Sequence, residues 1–438
     1  MYVADSRNAP ATAAARDPGP GRRAAVAPTV LALGTVSLVT DVSSEMVTAV
    51  LPLYLVAGLG LSPLGFGLLD GVYNGFSALV RLVGGHVADR GGRHKTVAGL
   101  GYGLSALCKP LLLVAGSLPL IGAVLAADRT GKGLRTAPRD ALISLASPEE
   151  SRGRAFGVHR AMDTAGALIG PLVAFLILRQ AADGYDAVFT VSFCVAAAGV
   201  LVLLLFVPSR PRQAAAPAAG APRASLRAAV GLLRVPGVRR LALCALLLGL
   251  ATVSDAFVYL LLQRRLGVTD HWFALLPIGT AAAFLLLAVP LGRLADRVGR
   301  GRVFLGGHIA LLVVYGALLS GWRSPALPFL VLALHGGFYA ATDGVLMAAA
   351  AGRIPSELRS SGLALIQTGQ ALARFGCSIA FGAAWTAWGD RWAIGAATAL
   401  LALCTAVAFA LRPAHHDDPT PGGATPPPSA TVPEGTPV

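Results

Sequence analysis

Two stretches of this chain read almost alike. The first is Gly85-His86-Val87-Ala88-Asp89-Arg90-Gly91-Gly92-Arg93-His94-Lys95. The second is Gly292-Arg293-Leu294-Ala295-Asp296-Arg297-Val298-Gly299-Arg300-Gly301-Arg302. Other features recur at the same offset. Leu59-Gly60 with Phe66 returns as Leu266-Gly267 with Phe273, and Pro148-Glu149-Glu150-Ser151-Arg152 returns as Pro355-Ser356-Glu357-Leu358-Arg359. Ungapped matches at one offset mean that the chain is two structural repeats. Each repeat holds an even number of apolar runs, so the two lie parallel in a membrane.

Composition agrees. Of 438 residues, 55% are hydrophobic and only 13% charged, whereas a soluble chain averages about 25% charged. The apolar runs recur at bilayer-spanning length. The expectation is an all-α integral membrane protein, with twelve transmembrane helices arranged as two six-helix pseudo-symmetric bundles. Helix 1 is expected near Val30–Val56, helix 2 near Leu64–Val87, helix 3 near Thr96–Gly116, helix 4 near Leu118–Ala146, helix 5 near Ala155–Leu178 and helix 6 near Ala187–Val207. Helices 7 to 12 are expected near 239–262, 272–294, 303–320, 327–351, 362–386 and 392–411. The bundles then occupy 29–207 and 237–411. Residues 1–28 and 412–438 read as disordered tails, and the Pro/Ala/Arg-rich stretch 208–236 as a linker.

The net charge of +14 fits the positive-inside rule better than a nucleic-acid partner. Arg90, Arg93, Lys95, Arg152, Arg154, Arg297, Arg300, Arg302, Arg353, Arg359 and the linker arginines share one side with the tails. The other side has Arg179, Arg264, Arg265, Arg323 and Arg391. Both termini are therefore expected in the cytoplasm, with the chain in the cytoplasmic membrane. The five cysteines all sit in apolar runs without ligand spacing, so neither a disulfide framework nor a metal is indicated.

One run breaks the apolar pattern. Asp128-Arg129-Thr130-Gly131-Lys132-Gly133-Leu134-Arg135-Thr136-Ala137-Pro138-Arg139-Asp140 carries six charges inside helix 4. Ionisable groups at membrane depth are costly and as a rule functional. Asp128, Lys132, Arg135 and Arg139 stand at offsets 4, 7 and 11, one face of a helix turning about 100° per residue. Pro138 is expected to kink or break that helix. Helix 1 places Asp41, Glu45 and Thr48 on one face, and helix 2 does so with Asp70, Asn74, Ser77 and Arg81. These faces suggest a shared polar cavity, with Asp70, Asn74, Arg129, Lys132, Arg135 and Arg139 toward a small-molecule substrate. The competing reading has the cations pairing with bundle acids. Asp41 and Glu45 are candidate proton carriers, with Asp163 next. His159 and Asp163 give two metal ligands and no third.

At these residues a family resemblance enters. The Gly-x-x-x-Asp-Arg-x-Gly-Arg loop of Gly85, Asp89, Arg90, Gly92 and Arg93 repeats in Gly292, Asp296, Arg297 and Arg300. It resembles the signature of the major facilitator superfamily. The resemblance covers about Val30 to Leu411. Gly157, Gly166, Gly170 and Pro171 are similar to the helix 5 motif of its drug:proton antiporter branch, although Ala174 and Phe175 stand where a glycine pair is usual. Arg129 with Gly133 resembles the Arg-x-x-x-Gly motif of helix 4. The resemblance implies a secondary active transporter working by alternating access. Its partners would be a small solute, protons and the lipid bilayer, with no cofactor and a monomeric state. Proton-coupled efflux of an amphiphile and transport of an organic anion both fit. A membrane-embedded transferase would need a donor-binding loop or domain, and the sequence offers none.

If the repeated loop is a gate latch, Asp89→Asn should cut flux in proteoliposomes while sparing insertion and substrate binding, and Asp296→Asn should do less. Wild-type flux in both variants would refute the latch.

Overall fold

Inside a bilayer each backbone N–H and C=O must find its partner within the protein, so apolar runs of this length become helices. The computed structural model describes residues 27–73, 80, 94–147, 152–181, 184–208, 231–267, 269–322, 324–354 and 359–411. Helix 1 is Pro28–Leu53, continued by a π turn, Tyr54–Gly58. Helix 2 is described over 63–73. Helix 3 is His94–Val114, helix 4 Leu118–Leu145, helix 5 Arg152–Gln180 and helix 6 Gly184–Phe206. In the second repeat, helix 8 is Leu276–Val298, helix 9 Arg300–Leu319, helix 10 Ala326–Ala351, helix 11 Arg359–Trp388 and helix 12 Asp390–Ala410. The result is a multi-pass membrane protein with two six-helix bundles.

Two expectations need correction. Helix 7 is not continuous: Pro236–Leu250 stops, residues 251–254 leave the helical path, and Asp255–Leu266 begins afresh. The Tyr315 hydroxyl, from helix 9, accepts a hydrogen bond from Val253 N at 2.7 Å and so meets a backbone group the break sets free. Helix 4, by contrast, is not broken at Pro138 and runs on to Leu145. Proline removes one ladder bond there, a loss that surrounding helices make tolerable in a membrane.

Close helix crossings build the first bundle. A Cβ on Gly131 would stand 2.6 Å from Gly101 O, and one on Gly101 would stand 2.7 Å from Gly131 O. Each glycine thus admits the other's backbone, and helices 3 and 4 touch main chain to main chain. Helix 5 meets helix 1 in the same way: a Cβ on Gly170 would come within 2.7 Å of Val42 O, and Gly166 abuts Leu38. Gly157 has nothing within 4 Å.

The bundles meet at the end opposite the tails. Phe66 of helix 2 and Phe257 of helix 7 stack edge to face with centroids 4.8 Å apart, and Phe257 repeats this with Phe381 of helix 11 at 4.8 Å. Leu64 N donates to Thr386 Oγ1 (2.9 Å), and Ser378 donates to Asp70 (2.7 Å).

Gly131→Val should therefore force helices 3 and 4 apart, cost about 1–3 kcal/mol or more, and lower the melting temperature in detergent. Gly157→Val, facing open space, should leave it unchanged. Equal melting temperatures for the two variants would contradict the crossing.

Candidate functional site

The helix 4 charges point into the first bundle. Asp128 faces helix 3, where Lys109 Nζ and Ser105 Oγ each donate to its Oδ1 at 2.6 Å. Arg129 holds Asp128 Oδ2 and lies over the Tyr73 ring of helix 2, 3.8 Å from its centroid. One turn on, Lys132 reaches Glu45 of helix 1 at 3.7 Å. Arg135 donates to Asp41 Oδ1 at 3.2 Å and covers the Tyr102 ring at 4.6 Å. Arg139 pairs with Asp140 at 3.0 Å and with Asp163 of helix 5 at 3.6 Å, and donates to Ser37 Oγ at 3.3 Å. A charge buried in low dielectric persists only when paired and hydrogen-bonded, and every helix 4 cation here has such a partner.

Asp41 of helix 1 and Asp163 of helix 5 are neighbours, with Arg139 beside both. A carboxyl can bond to a carboxylate only through a proton on one of them. Asp163 Oδ1 is buried, 3.6 Å from Arg139, and accepts no hydrogen bond from the described residues. Beside it, Ser37 Oγ lies 2.8 Å from His159 Nε2. His159 is thus bound within the bundle, and among the described residues no third ligand joins it and Asp163.

Between the bundles lies a cavity of about 410 Å³. From the first half it is lined by Glu45, Thr48, Asp70 and Tyr73, and by apolar side chains such as Leu51, Leu55, Phe66 and Leu125. From the second half come the helix 7 break at Thr252–Asp255, Tyr259 and Phe284, and Tyr339, Asp343 and Arg374. Thr48 and Tyr73 share a 2.7 Å hydrogen bond on its wall.

The sequence candidates therefore separate. Glu45 and Asp70 line the cavity. Lys132, with a 34% exposed side chain, reaches its edge through Glu45. Arg129, Arg135 and Arg139 do not line it; they stand in the charge network behind its wall, as does the Asp41–Asp163 pair. Gly166, Gly170 and Pro171 lie inside helix 5, with the two glycines at its crossing with helix 1. Asn74, Gly85, Asp89, Arg90, Gly92 and Arg93 lie outside the described residues. In the second loop, Gly292 is near the end of helix 8, and Asp296 and Arg297 are exposed. Arg300 pairs with Asp296 at 3.3 Å and donates to Ala348 O at the end of helix 10 (2.9 Å). Gly299, at φ 99°, makes the turn between helices 8 and 9 that a side chain would strain.

Among the sequence candidates for substrate and proton, none comes from the second-half wall, although Asp255, Asp343 and Arg374 stand out as charges in apolar runs. His335, Tyr339 and Asp343 recur every fourth residue of helix 10, the spacing of one helix face. The same rule that exposed the helix 1 and helix 4 stripes would have found them.

The comparisons with known proteins come to the same architecture. The model of the Major Facilitator Superfamily matches residues 33–287 and 260–435. An uncharacterised MFS-type transporter of Methanocaldococcus jannaschii is 30% identical over 369 residues, covering 81% of this chain and 88% of the relative. The multidrug resistance protein MdtG of Citrobacter koseri is 27% identical over 342 residues, covering 73% and 80%. Among solved structures, the nucleoside transporter NupG superposes with a TM-score of 0.73 at 14% identity, covering 87% of this chain and 98% of its own. A D-xylose-proton symporter superposes with a TM-score of 0.66 at 17% identity, covering 88% and 97%. With its repeated loops, two six-helix bundles and central cavity, this chain belongs to the Major Facilitator Superfamily and is a transporter, not an enzyme.

Proposed function

We propose that the protein is a proton-coupled exporter of an amphiphilic small solute. In this reading it works as a monomer in the cytoplasmic membrane, with both termini in the cytoplasm, and alternates access by rocking its two bundles. The observation that carries this is the carboxyl pair Asp41–Asp163 behind the wall of a largely apolar cavity. Glu45, one turn along helix 1 from Asp41, stands on the cavity side of that wall. Lys132 lies close to both Glu45 and Asp41. A solute that takes Glu45 releases Lys132 toward Asp41, and the added positive charge there expels the shared proton. Solute entry and proton release become one event, as antiport requires. Likeness to MdtG supports export. The aromatic contacts at the end opposite the tails support a cytoplasm-facing state. Uptake or exchange of an organic anion is the second reading, and Arg374 on the cavity wall is the observation that favours it.

In proteoliposomes with an imposed pH gradient, a panel of cationic, neutral and anionic dyes tests the direction and the coupling. Asp41→Asn and Asp163→Asn should each lose gradient-driven accumulation and keep counterflow, since exchange needs no net proton movement. Accumulation that persists in both variants would place the coupling elsewhere.

Arg135 and Lys132 should part company under substitution. Arg135 has a 4% exposed side chain, so Arg135→Gln strands Asp41 and should cost about 3–5 kcal/mol of stability. Asp41→Asn made with it should recover much of that loss. Lys132→Gln, at the partly exposed site, should scarcely move the melting temperature but should uncouple flux from pH. Thermal unfolding and flux on the same variants check both.

A further inference from the structure

We propose that Asp255 is where the second half reads the charge of the solute, and that the solute is an amphiphilic organic cation. This rests on the transport reading of the cavity and names what the cavity selects.

Asp255 is the first residue of the second segment of helix 7, directly after the break, and its side chain is 40% exposed to the cavity it lines. Two donors from helix 10, the Tyr339 hydroxyl and His335 Nε2 at 3.0 Å, converge on one oxygen, Oδ1. The carboxylate is thereby fixed, and Oδ2 is what it presents to a ligand.

His335 serves as a donor to Asp255. Its side chain is fully buried, it packs against Tyr259, Phe338 and Tyr339, and its Nδ1 has no partner among the described residues. A proton on Nδ1 would be a buried N–H without an acceptor, so the single proton sits on Nε2, toward Asp255. The imidazole therefore orients Asp255.

The other charged groups on the cavity are Glu45, Asp70, Asp343 and Arg374. Lys132 reaches Glu45 from behind, Ser378 donates to Asp70, and Arg374 lies over the Tyr339 ring, 5.7 Å from its centroid. With Glu45 paired to Lys132, Asp255 and Asp343 still outnumber Arg374 on the second-half wall. Ser254 Oγ, on the break beside Asp255, is buried without a hydrogen-bond partner among the described residues and can accept from a ligand N–H. Polar capacity is thus left over at the spot where Asp255 faces the cavity. Apart from Thr48, Thr252, Ser254 and Thr280, the remaining wall is aliphatic and aromatic, suited to the body of an amphiphile and to cation–π contact. The proton pair Asp41–Asp163 stands outside this lining, so Asp255 reads the charge of the solute without carrying the coupled proton.

Binding of three probes of similar bulk to the nanodisc-reconstituted protein tests this: tetraphenylphosphonium, neutral triphenylphosphine oxide and anionic tetraphenylborate. The wild type should favour the cation. Asp255→Asn should weaken the cation tenfold or more and the neutral probe less than twofold. His335 is a positioning residue: His335→Leu should lose several-fold of the cation preference, and His335→Gln, which keeps an N–H donor, should recover part of it. A wild type that does not favour the cation overturns the proposal. So does an Asp255→Asn that binds it like wild type, or one that weakens both probes together. Should Asp255→Asn fail to fold, the His335→Leu and His335→Gln pair decides by the same cation-to-neutral ratio. Absence of flux in proteoliposomes would defeat the transport reading and leave these affinities standing; inverted selectivity with flux intact would defeat the cation reading alone.

Discussion

Burying ionised groups where water cannot reach them is the constraint on which the first bundle depends. Helix 4 carries Asp128, Arg129, Lys132, Arg135 and Arg139 into the protein, and each pairing there lies at 3.7 Å or less. Pairs this tight need backbones that come closer than ordinary side chains permit. Gly101 and Gly131 bring helices 3 and 4 together beside Lys109 and Asp128, and Gly166 and Gly170 bring helix 5 onto helix 1 beside Asp41 and Asp163. The small residues and the charges form one design, because neither arrangement stands without the other.

The two halves then divide the work unequally. The first is ionic in its interior and presents few of those charges to the cavity. The second places its titratable groups, Asp255, Asp343 and Arg374, on the cavity wall, and breaks helix 7 to do so. A discontinuous helix is tolerated at membrane depth where the freed backbone lines a cavity or finds a partner. Here Tyr315 meets Val253 N and Ala251 O, Ala251 N and Thr252 N turn back to Leu248 O and Gly249 O, and Thr252 to Asp255 line the cavity. Pseudo-symmetry of fold coexists with asymmetry of chemistry.

Most of the fold was legible in the residues. The recurring Asp-Arg-x-Gly-Arg loop and the length of the apolar runs imply two six-helix repeats, and outside helix 7 the described helix ends fall within a few residues of where hydropathy puts them. The helix 7 break was not foreseen, since Thr252-Val253-Ser254-Asp255 interrupts an otherwise apolar run too briefly for a window average to register. Its cue was local: serine and aspartate at a helix start. The helix 4 stripe was legible as a stripe. Whether it faced a cavity or carboxylates depended on how helices 1, 3 and 5 are placed around it, and periodicity within one helix carries no such information. Lys109 shows this well: alone it is a stray cation in helix 3, and only the Gly101–Gly131 crossing makes it the partner of Asp128.

The charges of helix 4 also bear on how the chain enters the membrane. Among the described residues nine helices are long and apolar enough to qualify as spans on their own, and helix 4 is not one of them. At the centre of a lone helix each of its cations would oppose insertion by about 2.5–3.5 kcal/mol. The carboxylates of helix 1 and the lysine of helix 3 precede it during synthesis, but Asp163 follows it. Helix 4 thus has a reason to leave the translocon only in company, docking on helix 3 and waiting for helix 5. For this chain, order of synthesis and order of insertion need not coincide.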